Sequence, residues 1–72
     1  MMQEPFDLID SFASNLRHHR NAAGLSQEEL AELAGLDRTY ISGCERGVRN
    51  PSLRSIEKLA RALAISPYML VQ

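Results

Sequence analysis

The sequence has little cysteine and no long apolar run, and both absences narrow the class of protein. Cys44 is the single cysteine among the 72 residues, so an intrachain disulfide is impossible and a reducing compartment is expected. No apolar run approaches the ~20 residues of a membrane span. The acidic start, MMQEPFDLID, lacks the basic and apolar regions of a signal peptide. We therefore predict a cytoplasmic protein with no membrane segment, formed by one small domain over residues 1–72.

Motifs of catalysis and of metal binding are also missing. The sequence has no Gly-rich phosphate loop, no pair of carboxylates arranged for acid–base chemistry, and no nucleophile with a histidine and an acid. His18 and His19 have no carboxylate or cysteine at the spacing of metal ligands. We expect no catalytic residue, no metal site and no cofactor, and the chain is predicted not to be an enzyme.

Helical patterns account for nearly all of the chain, since alternating apolar runs and Asn-Gly or Asp-Gly hairpin turns are absent. A first helix is predicted from Pro5, which suits a first helical turn, to about Ala23, with Gly24 ending it. Its apolar residues recur at helical spacing: Phe6, Ile9, Phe12, Ala13 and Leu16. Ser26 and Glu29 predict a capping box at the start of a second helix, which Gly35 ends. The predicted apolar face of that helix is Leu30, Leu33 and Ala34.

Three more helices follow. Asp37 is predicted to cap a helix that runs to about Arg46 and ends at Gly47, with its apolar residues Ile41 and Cys44 facing inward. A fourth helix begins at the cap Ser52, and its apolar stripe is predicted to be Leu53, Ile56, Leu59, Ala60 and Leu63. Ser66-Pro67 opens a last short helix. The expected fold is all-α, a compact bundle of five helices.

Charge is unevenly distributed along the chain. Residues 1–36 carry six acidic and two basic side chains, a formal charge of −4, whereas residues 37–72 carry three acidic and six basic ones, a formal charge of +3. Binding to a polyanion depends on this local field rather than on the total charge. A mixed, solvated surface is the alternative interpretation, and it applies above all to Arg54, Lys58 and Arg61.

Residues 27–46 have the spacing of a helix-turn-helix, because two short helices are joined by about three residues around Gly35. The small Ala31 suits a close crossing of the two helices. In this motif the second helix lies in the DNA major groove and reads base edges from its N-terminal residues. The outward positions of that helix are predicted to be Arg38, Thr39, Tyr40, Ser42, Gly43 and Arg46.

The run LSQEELAELAGLDRTYISGCERG resembles the helix-turn-helix of the phage-repressor-like family, often named after the xenobiotic response element. The similarity extends from about Leu16 to Leu70 and implies the lambda-repressor-like DNA-binding fold. The run LDRTYISGCERGVRNPS is similar, more narrowly, to the controller proteins of bacterial restriction-modification systems. Those proteins are small dimeric regulators of the endonuclease gene and of their own gene.

This resemblance implies a role for particular residues. Base contacts are expected from Arg38, Thr39, Tyr40 and Arg49. For Tyr40 the alternative is a phosphate contact, and Arg49 is expected to hold the phosphate backbone as well. Phosphate contacts are expected from Ser26, Gln27, Ser42, Arg46 and Asn50. Arg20 and Glu45 match an ion pair that joins the first helix to the end of the recognition helix and does not contact DNA. Tyr40 has the alternative role of simply packing, and Gly43 departs from relatives that place a base-reading side chain there, so DNA shape should supply some specificity.

A homodimer is expected, because motifs of this kind bind two half-sites about one helical turn apart. The predicted dimer interface lies within residues 53–71 and consists of Leu53, Ile56, Tyr68, Met69 and Leu70. Alternatively, Met69, Leu70 and Val71 complete the core of the monomer. Cys44 is interpreted as a small core residue rather than a redox switch.

The predicted function is therefore sequence-specific regulation of transcription from a double-stranded operator with pseudo-palindromic sequence. Repression would follow from covering a promoter. Activation would require RNA polymerase as a further partner, and the acidic surface of Glu28, Glu29 and Glu32 is a candidate for that contact. The alternatives are a generic single-domain phage-like repressor and an antitoxin-like protein-interaction module.

Overall fold

The structure, a computed structural model, describes residues 7–72, and all five regular elements among them are helices. In chain order they are α1 (Leu8–Ala22), α2 (Gln27–Ala34), α3 (Arg38–Glu45), α4 (Leu53–Leu63) and α5 (Tyr68–Val71). The predicted all-α fold is confirmed. Within residues 7–72, no helix combines the length and the apolar character needed to cross a membrane.

The helix starts follow local side-chain chemistry. Ser26 and Glu29 form the predicted capping box, since Glu29 N–H donates to Ser26 Oγ at 3.0 Å and Ser26 N–H donates to Glu29 Oε1 at 2.8 Å. Ser52 caps α4 as predicted, by accepting the N–H of Ser55 at 3.0 Å. Asp37 holds the predicted cap position of α3, and its backbone carbonyl accepts the N–H of Ile41 at 3.2 Å. Its side chain accepts no hydrogen bond, so the predicted side-chain cap is wrong.

Helix α1 begins with a cap that the periodicity did not indicate. The Asp7 carboxylate accepts the N–H groups of Ile9 and Asp10 at 3.1 and 3.3 Å, which places the first helical residue at Leu8. The predicted start at Pro5 and the predicted core residue Phe6 lie outside the described residues.

Helix α3 ends in a turn that folds the following loop back onto the helix. Gly47 has φ +75°, and its N–H donates to Cys44 O at 3.2 Å. The next N–H, of Val48, donates to Gly43 O at 3.0 Å, which completes a Schellman motif. This turn directs Val48 and Arg49 back along α3 rather than away from it.

Helix α4 ends in the same type of turn but without a glycine. Ala64 has φ +57°, and the N–H groups of Ala64 and Ile65 donate to Arg61 O and Ala60 O at 3.1 and 3.0 Å. A left-handed conformation costs a residue with a Cβ atom about 1–2 kcal/mol. Ala64 is therefore a strained position.

Replacing Ala64 by glycine is expected to raise the free energy of unfolding by about 0.5–1 kcal/mol, because relief of the strain exceeds the added entropy of the unfolded chain. Ala62→Gly is the matched control, since Ala62 lies inside α4 and the same change there should lower stability by about 1 kcal/mol. Urea denaturation followed by circular dichroism measures both variants. A loss of stability in Ala64→Gly would contradict the assignment of strain.

The core is built from residues of every helix. Its largest fully buried side chains are Phe12, Leu16, Leu30, Ile41, Cys44, Leu59 and Leu70. Two predicted core residues are instead exposed, Leu33 at 61% and Leu53 at 84%. Each lies roughly 100° around its helix from the centre of the buried face, given 3.6 residues per turn. The apolar spacing was correct, but the buried face of each helix is narrower than predicted.

Leu70 is fully buried, so its predicted place in a dimer interface is wrong. Asn15 of α1 is hydrogen-bonded to the C-terminal end of α5. Its side-chain amide donates to the carbonyl oxygens of Leu70 at 3.1 Å and Gln72 at 3.2 Å. These bonds satisfy carbonyl groups at the end of α5 and fix it against α1. For Leu70 the alternative interpretation, completion of the monomer core, is the correct one.

Candidate nucleic-acid interface

A buried ion pair joins α1 to the end of α3. Arg20 Nε lies 2.6 Å from Glu45 Oε2, and Arg20 Nη2 lies 2.9 Å from Glu45 Oε1, so the pair is bidentate. The side chains are 13% and 3% exposed, respectively. Arg20 Nη1 also donates to Leu25 O at 2.8 Å, which ties the α1–α2 loop into the pair. This is the pairing that the family resemblance implied, and it ties α1 to the end of α3.

Two further side chains complete this cluster. Gln27 Nε2 donates to Glu45 Oε1 at 3.1 Å, so the side chain predicted to contact phosphate is already engaged within the protein. Arg17 Nη2 donates to the backbone carbonyl of Glu45 at 2.6 Å and caps the C-terminal end of α3. No sequence pattern indicated Arg17, although it lies one turn before Arg20 on α1.

The cluster shifts the pKa values of its charged groups. Burial raises the pKa of the Glu45 carboxyl, but hydrogen bonds from Arg20 and Gln27 and the charges of Arg20 and Arg17 outweigh it, and the net pKa lies below the ordinary 4.5. The hydrogen bond to Glu45 raises the pKa of Arg20 above its ordinary value, although burial opposes the shift. Both groups are charged at neutral pH.

This shift predicts a pH dependence of stability. Because the folded pKa of Glu45 is depressed, its contribution is complete above the unfolded pKa near 4.5 and is lost as pH falls through the folded value. The difference in free energy of unfolding between wild type and Glu45→Gln should therefore be largest at neutral pH and shrink below 4.5. Urea denaturation across this range measures the difference. A gap that widens in acid would contradict the sign of the shift.

Helix α3 presents its N-terminal residues to solvent. Arg38 and Thr39 are exposed, as is Arg46 at the end of the helix. Arg49 and Asn50 are exposed in the loop that follows. Ser42 is half-buried, and Ser26 lies exposed at the start of α2. Three exposed arginines, Arg38, Arg46 and Arg49, thus lie on α3 and the loop that follows it.

Two predicted outward residues of α3 are tied into the protein. Gly43 is buried, so its predicted outward position is wrong: the loop after Gly47 folds over it. Tyr40 is half-buried, and its hydroxyl donates to Ser55 Oγ of α4 at 3.0 Å. The guanidinium carbon of Arg49 lies 5.4 Å from the centre of the Tyr40 ring. Tyr40 therefore packs, and its ring faces a cation.

The chain is similar in sequence to a known family of DNA-binding proteins. Residues 16–70 match the helix-turn-helix family HTH_3. The chain belongs to this family. In this helix-turn-helix protein α2 and α3 form the motif. Ala31, the small residue of α2 noted in the sequence, is buried, with 4% of its surface exposed. Cys44 of α3 is fully buried, and burial raises the pKa of its thiol, which agrees with its interpretation as a core residue.

Several helix-turn-helix relatives are regulators of transcription. The restriction-modification controller protein C.AhdI from Aeromonas hydrophila is 56% identical, with a TM-score of 0.84 over 86% of this chain and 94% of that one. The controller protein C.Esp1396I, solved as a tetramer with its natural 35 base-pair operator, is 37% identical, with a TM-score of 0.82 over 93% and 87% of the two chains. The predicted resemblance to restriction-modification controllers is confirmed. These relatives are regulators, in agreement with the prediction that the chain is not an enzyme.

A third relative is longer than this helix-turn-helix chain. A hypothetical transcription factor of Neisseria meningitidis is 49% identical over 65 residues, which are 90% of this chain. The chain spans 61% of the length of that relative.

Accessible apolar side chains lie on α4 and α5 of the helix-turn-helix protein. Leu53 and Tyr68 are exposed at 84% and 65%, and Ile56 and Met69 are half-buried. A hollow of about 250 Å³ adjoins Leu53 and Ile56. Four of the five predicted dimer residues are thus accessible, and Leu70 is the exception. Arg54 and Glu57 of α4 form an exposed ion pair of 3.4 Å.

Proposed function

We propose that the chain is a sequence-specific DNA-binding regulator of the restriction-modification controller type, acting as a homodimer on a pseudo-palindromic operator. The observation that carries this proposal is the exposed N-terminal half of α3, with Arg38 and Thr39, on a fold similar to C.AhdI over 94% of that protein. The protein is a single DNA-binding domain over residues 1–72, with its motif at 27–46 and its dimerisation region at 53–71.

Base readout in this proposal comes from two places. Arg38 and Thr39 enter the major groove from the first turn of α3, where arginine can donate two hydrogen bonds to guanine and threonine can contact a thymine methyl. Arg49 reads a second base from the loop that follows. Tyr40 lies beside Arg49 and supports it, while any direct base contact from Tyr40 is limited by its bond to Ser55.

Phosphate contacts hold the protein in register. Ser26 and Gln27 lie at the N-terminus of α2, where the helix dipole favours an anion, and the Gln27 amide retains a second N–H after its bond to Glu45. Ser42, Arg46 and Asn50 flank the phosphate backbone from α3 and its loop. These contacts supply affinity without sequence information.

The dimer forms through Leu53, Ile56, Tyr68 and Met69, which leave an accessible apolar surface on α4 and α5. A twofold axis there would present two copies of α3 to half-sites about 34–36 Å apart. Repression follows if the operator overlaps a promoter.

Activation needs a contact with RNA polymerase, and the acidic side of α2 is the proposed surface. Glu28 and Glu32 are exposed and one turn apart, whereas Glu29 is engaged in the capping box. Reversal of charge at Glu28 and Glu32 to lysine is expected to abolish activation in a reporter assay and to leave operator affinity unchanged. Loss of operator binding in this double variant, or full activation by it, would contradict the assignment.

An electrophoretic mobility shift with DNA from upstream of the chain's own gene tests the proposed function. We expect a discrete complex that unlabelled DNA of the same sequence displaces and scrambled DNA of the same composition does not. Equal displacement by both competitors, or no complex at all, would contradict sequence-specific autoregulation and favour a protein-interaction module.

A further inference from the structure

Gly43 lies where the loop after α3 crosses the helix. A Cβ atom added to Gly43 would lie 2.5 Å from Cγ of Arg49, 3.4 Å from its Nε and 3.6 Å from its Cβ. Real Cβ atoms do not approach other atoms to 2.5 Å, so the position is filled by the Arg49 stem. The glycine gives α3 a bare backbone segment, and the aliphatic part of Arg49 packs into it.

The other end of Arg49 rests on an aromatic ring. Its guanidinium carbon lies 5.4 Å from the centre of the Tyr40 ring, within the range of a cation–π contact. Tyr40 is one turn before Gly43 on α3, so the two residues form adjacent parts of one helix face.

The ring itself is fixed from α4. Tyr40 O–H donates to Ser55 Oγ at 3.0 Å, and Ser55 is a buried residue of the first turn of α4. Ser52 Oγ also donates to Ser55 Oγ at 3.0 Å, and it accepts the Ser55 N–H. The hydroxyl network therefore anchors the ring beneath Arg49 to a helix cap.

We propose that Gly43 is the positioning residue for Arg49: the missing side chain and the anchored Tyr40 ring together hold the guanidinium in one orientation toward DNA. Gly43 would thereby determine specificity at the base pair that Arg49 reads, although it touches no base. The inference rests on the proposed function, because it assigns a structural cause to one of the base contacts. It also gives the glycine a role within the recognition helix, since Arg49 occupies the space of the absent side chain.

Gly43→Ala is the informative variant. Alanine is the better helix former, and the three nearest atoms to the new Cβ all belong to Arg49, whose exposed side chain can move into solvent. We therefore expect the melting temperature to be kept or raised while Arg49 loses its site. A structural role for Gly43 alone would predict the reverse, a loss of stability with unchanged base preference.

The orientation of Arg49 can be measured without DNA. In the free wild-type protein the side-chain protons of Arg49 should show upfield ring-current shifts in proton NMR, because the guanidinium lies over Tyr40. These shifts should collapse in Gly43→Ala and in Tyr40→Leu. Shifts that persist in Gly43→Ala would overturn the positioning role.

The consequence for recognition is measured by a double-mutant cycle on operator DNA selected with the wild type. Gly43→Ala and Arg49→Ala are each expected to lose about 5- to 150-fold in preference for the operator over a variant changed at the Arg49 base pair, and the double variant should lose no more than Arg49→Ala. Gly43→Ala combined with Arg46→Ala is the control: Arg46→Ala should leave the preference unchanged, so this double variant should keep the preference of Gly43→Ala, while the two losses of operator affinity multiply. Losses that also multiply in the Gly43–Arg49 cycle would overturn the coupling.

The two measurements separate failure of this inference from failure of the proposed function. A wild-type protein that binds no specific DNA would contradict the proposed function and the specificity role, whatever the NMR shows. Specific binding with unchanged base preference in Gly43→Ala would overturn the inference alone.

Discussion

Replacing Glu45 by alanine is expected to lower the free energy of unfolding by about 3–5 kcal/mol, the cost of removing one partner from a buried ion pair. The guanidinium of Arg20, only 13% exposed, would lose both carboxylate contacts, and the Gln27 amide would lose its acceptor. Small domains have a stability of only about 5–15 kcal/mol, so this loss is a large share of the total. Urea denaturation measures it directly.

Glu57→Ala is the matched control, because Glu57 also pairs with an arginine but lies on the surface. The Arg54–Glu57 pair is 3.4 Å long, with side chains 79% and 56% exposed. Its removal should change stability by less than about 0.5 kcal/mol. Equal losses of unfolding free energy in Glu45→Ala and Glu57→Ala would show that burial does not determine how much the Arg20–Glu45 pair stabilises the protein.

Replacing Arg38 by alanine is expected to reduce discrimination at one base pair by about 1–3 kcal/mol, or roughly 5- to 150-fold, because a bidentate contact with a base edge is lost. Arg38 is exposed in the first turn of α3. Arg46→Ala should instead weaken binding to all sequences alike and reduce the slope of log affinity against log salt by about 0.9. Fluorescence anisotropy with the selected operator and its single-base variants measures both effects.

Lys58→Ala is the control for the loss of one positive charge. Lys58 is exposed on α4, outside residues 27–46. Its replacement should leave base preference unchanged and alter the affinity for DNA only slightly. An Arg38→Ala variant that weakens all sequences equally would place Arg38 on the phosphate backbone and contradict its role in base readout.

Local chemistry explains why the starts of α2 and α4 and the end of α3 could be predicted. The Ser26–Glu29 capping box, the Ser52 cap and the glycine after α3 depend on residues within a few positions of one another. Ala64, which ends α4 with φ +57°, could not be predicted because alanine normally continues a helix.

Burial was harder to predict, because it depends on which helix packs against which face. Leu33 and Leu53 have suitable helical spacing, yet they lie beyond the buried faces of α2 and α4 and are exposed. Leu70 shows the opposite, since the short α5 packs on α1 and takes this side chain into the core. Apolar periodicity alone gives the direction of a face but not its width.

In the candidate site, too, some contacts could be predicted from the sequence and others depend on tertiary packing. The Arg20–Glu45 pair and the arginines of α3 and its loop were indicated by the motif. The bonds from Gln27 to Glu45 and from Tyr40 to Ser55 join residues 18 and 15 positions apart, and no short pattern encodes them. Burial of Gly43 depends likewise on the course of the loop after Gly47.

Selection of bound DNA from a random pool at moderate salt tests most directly whether α3 reads sequence. We expect one recovered pseudo-palindrome, with half-sites about one helical turn apart and an affinity that falls steeply with salt. A pool without a shared motif, bound weakly throughout, would contradict it.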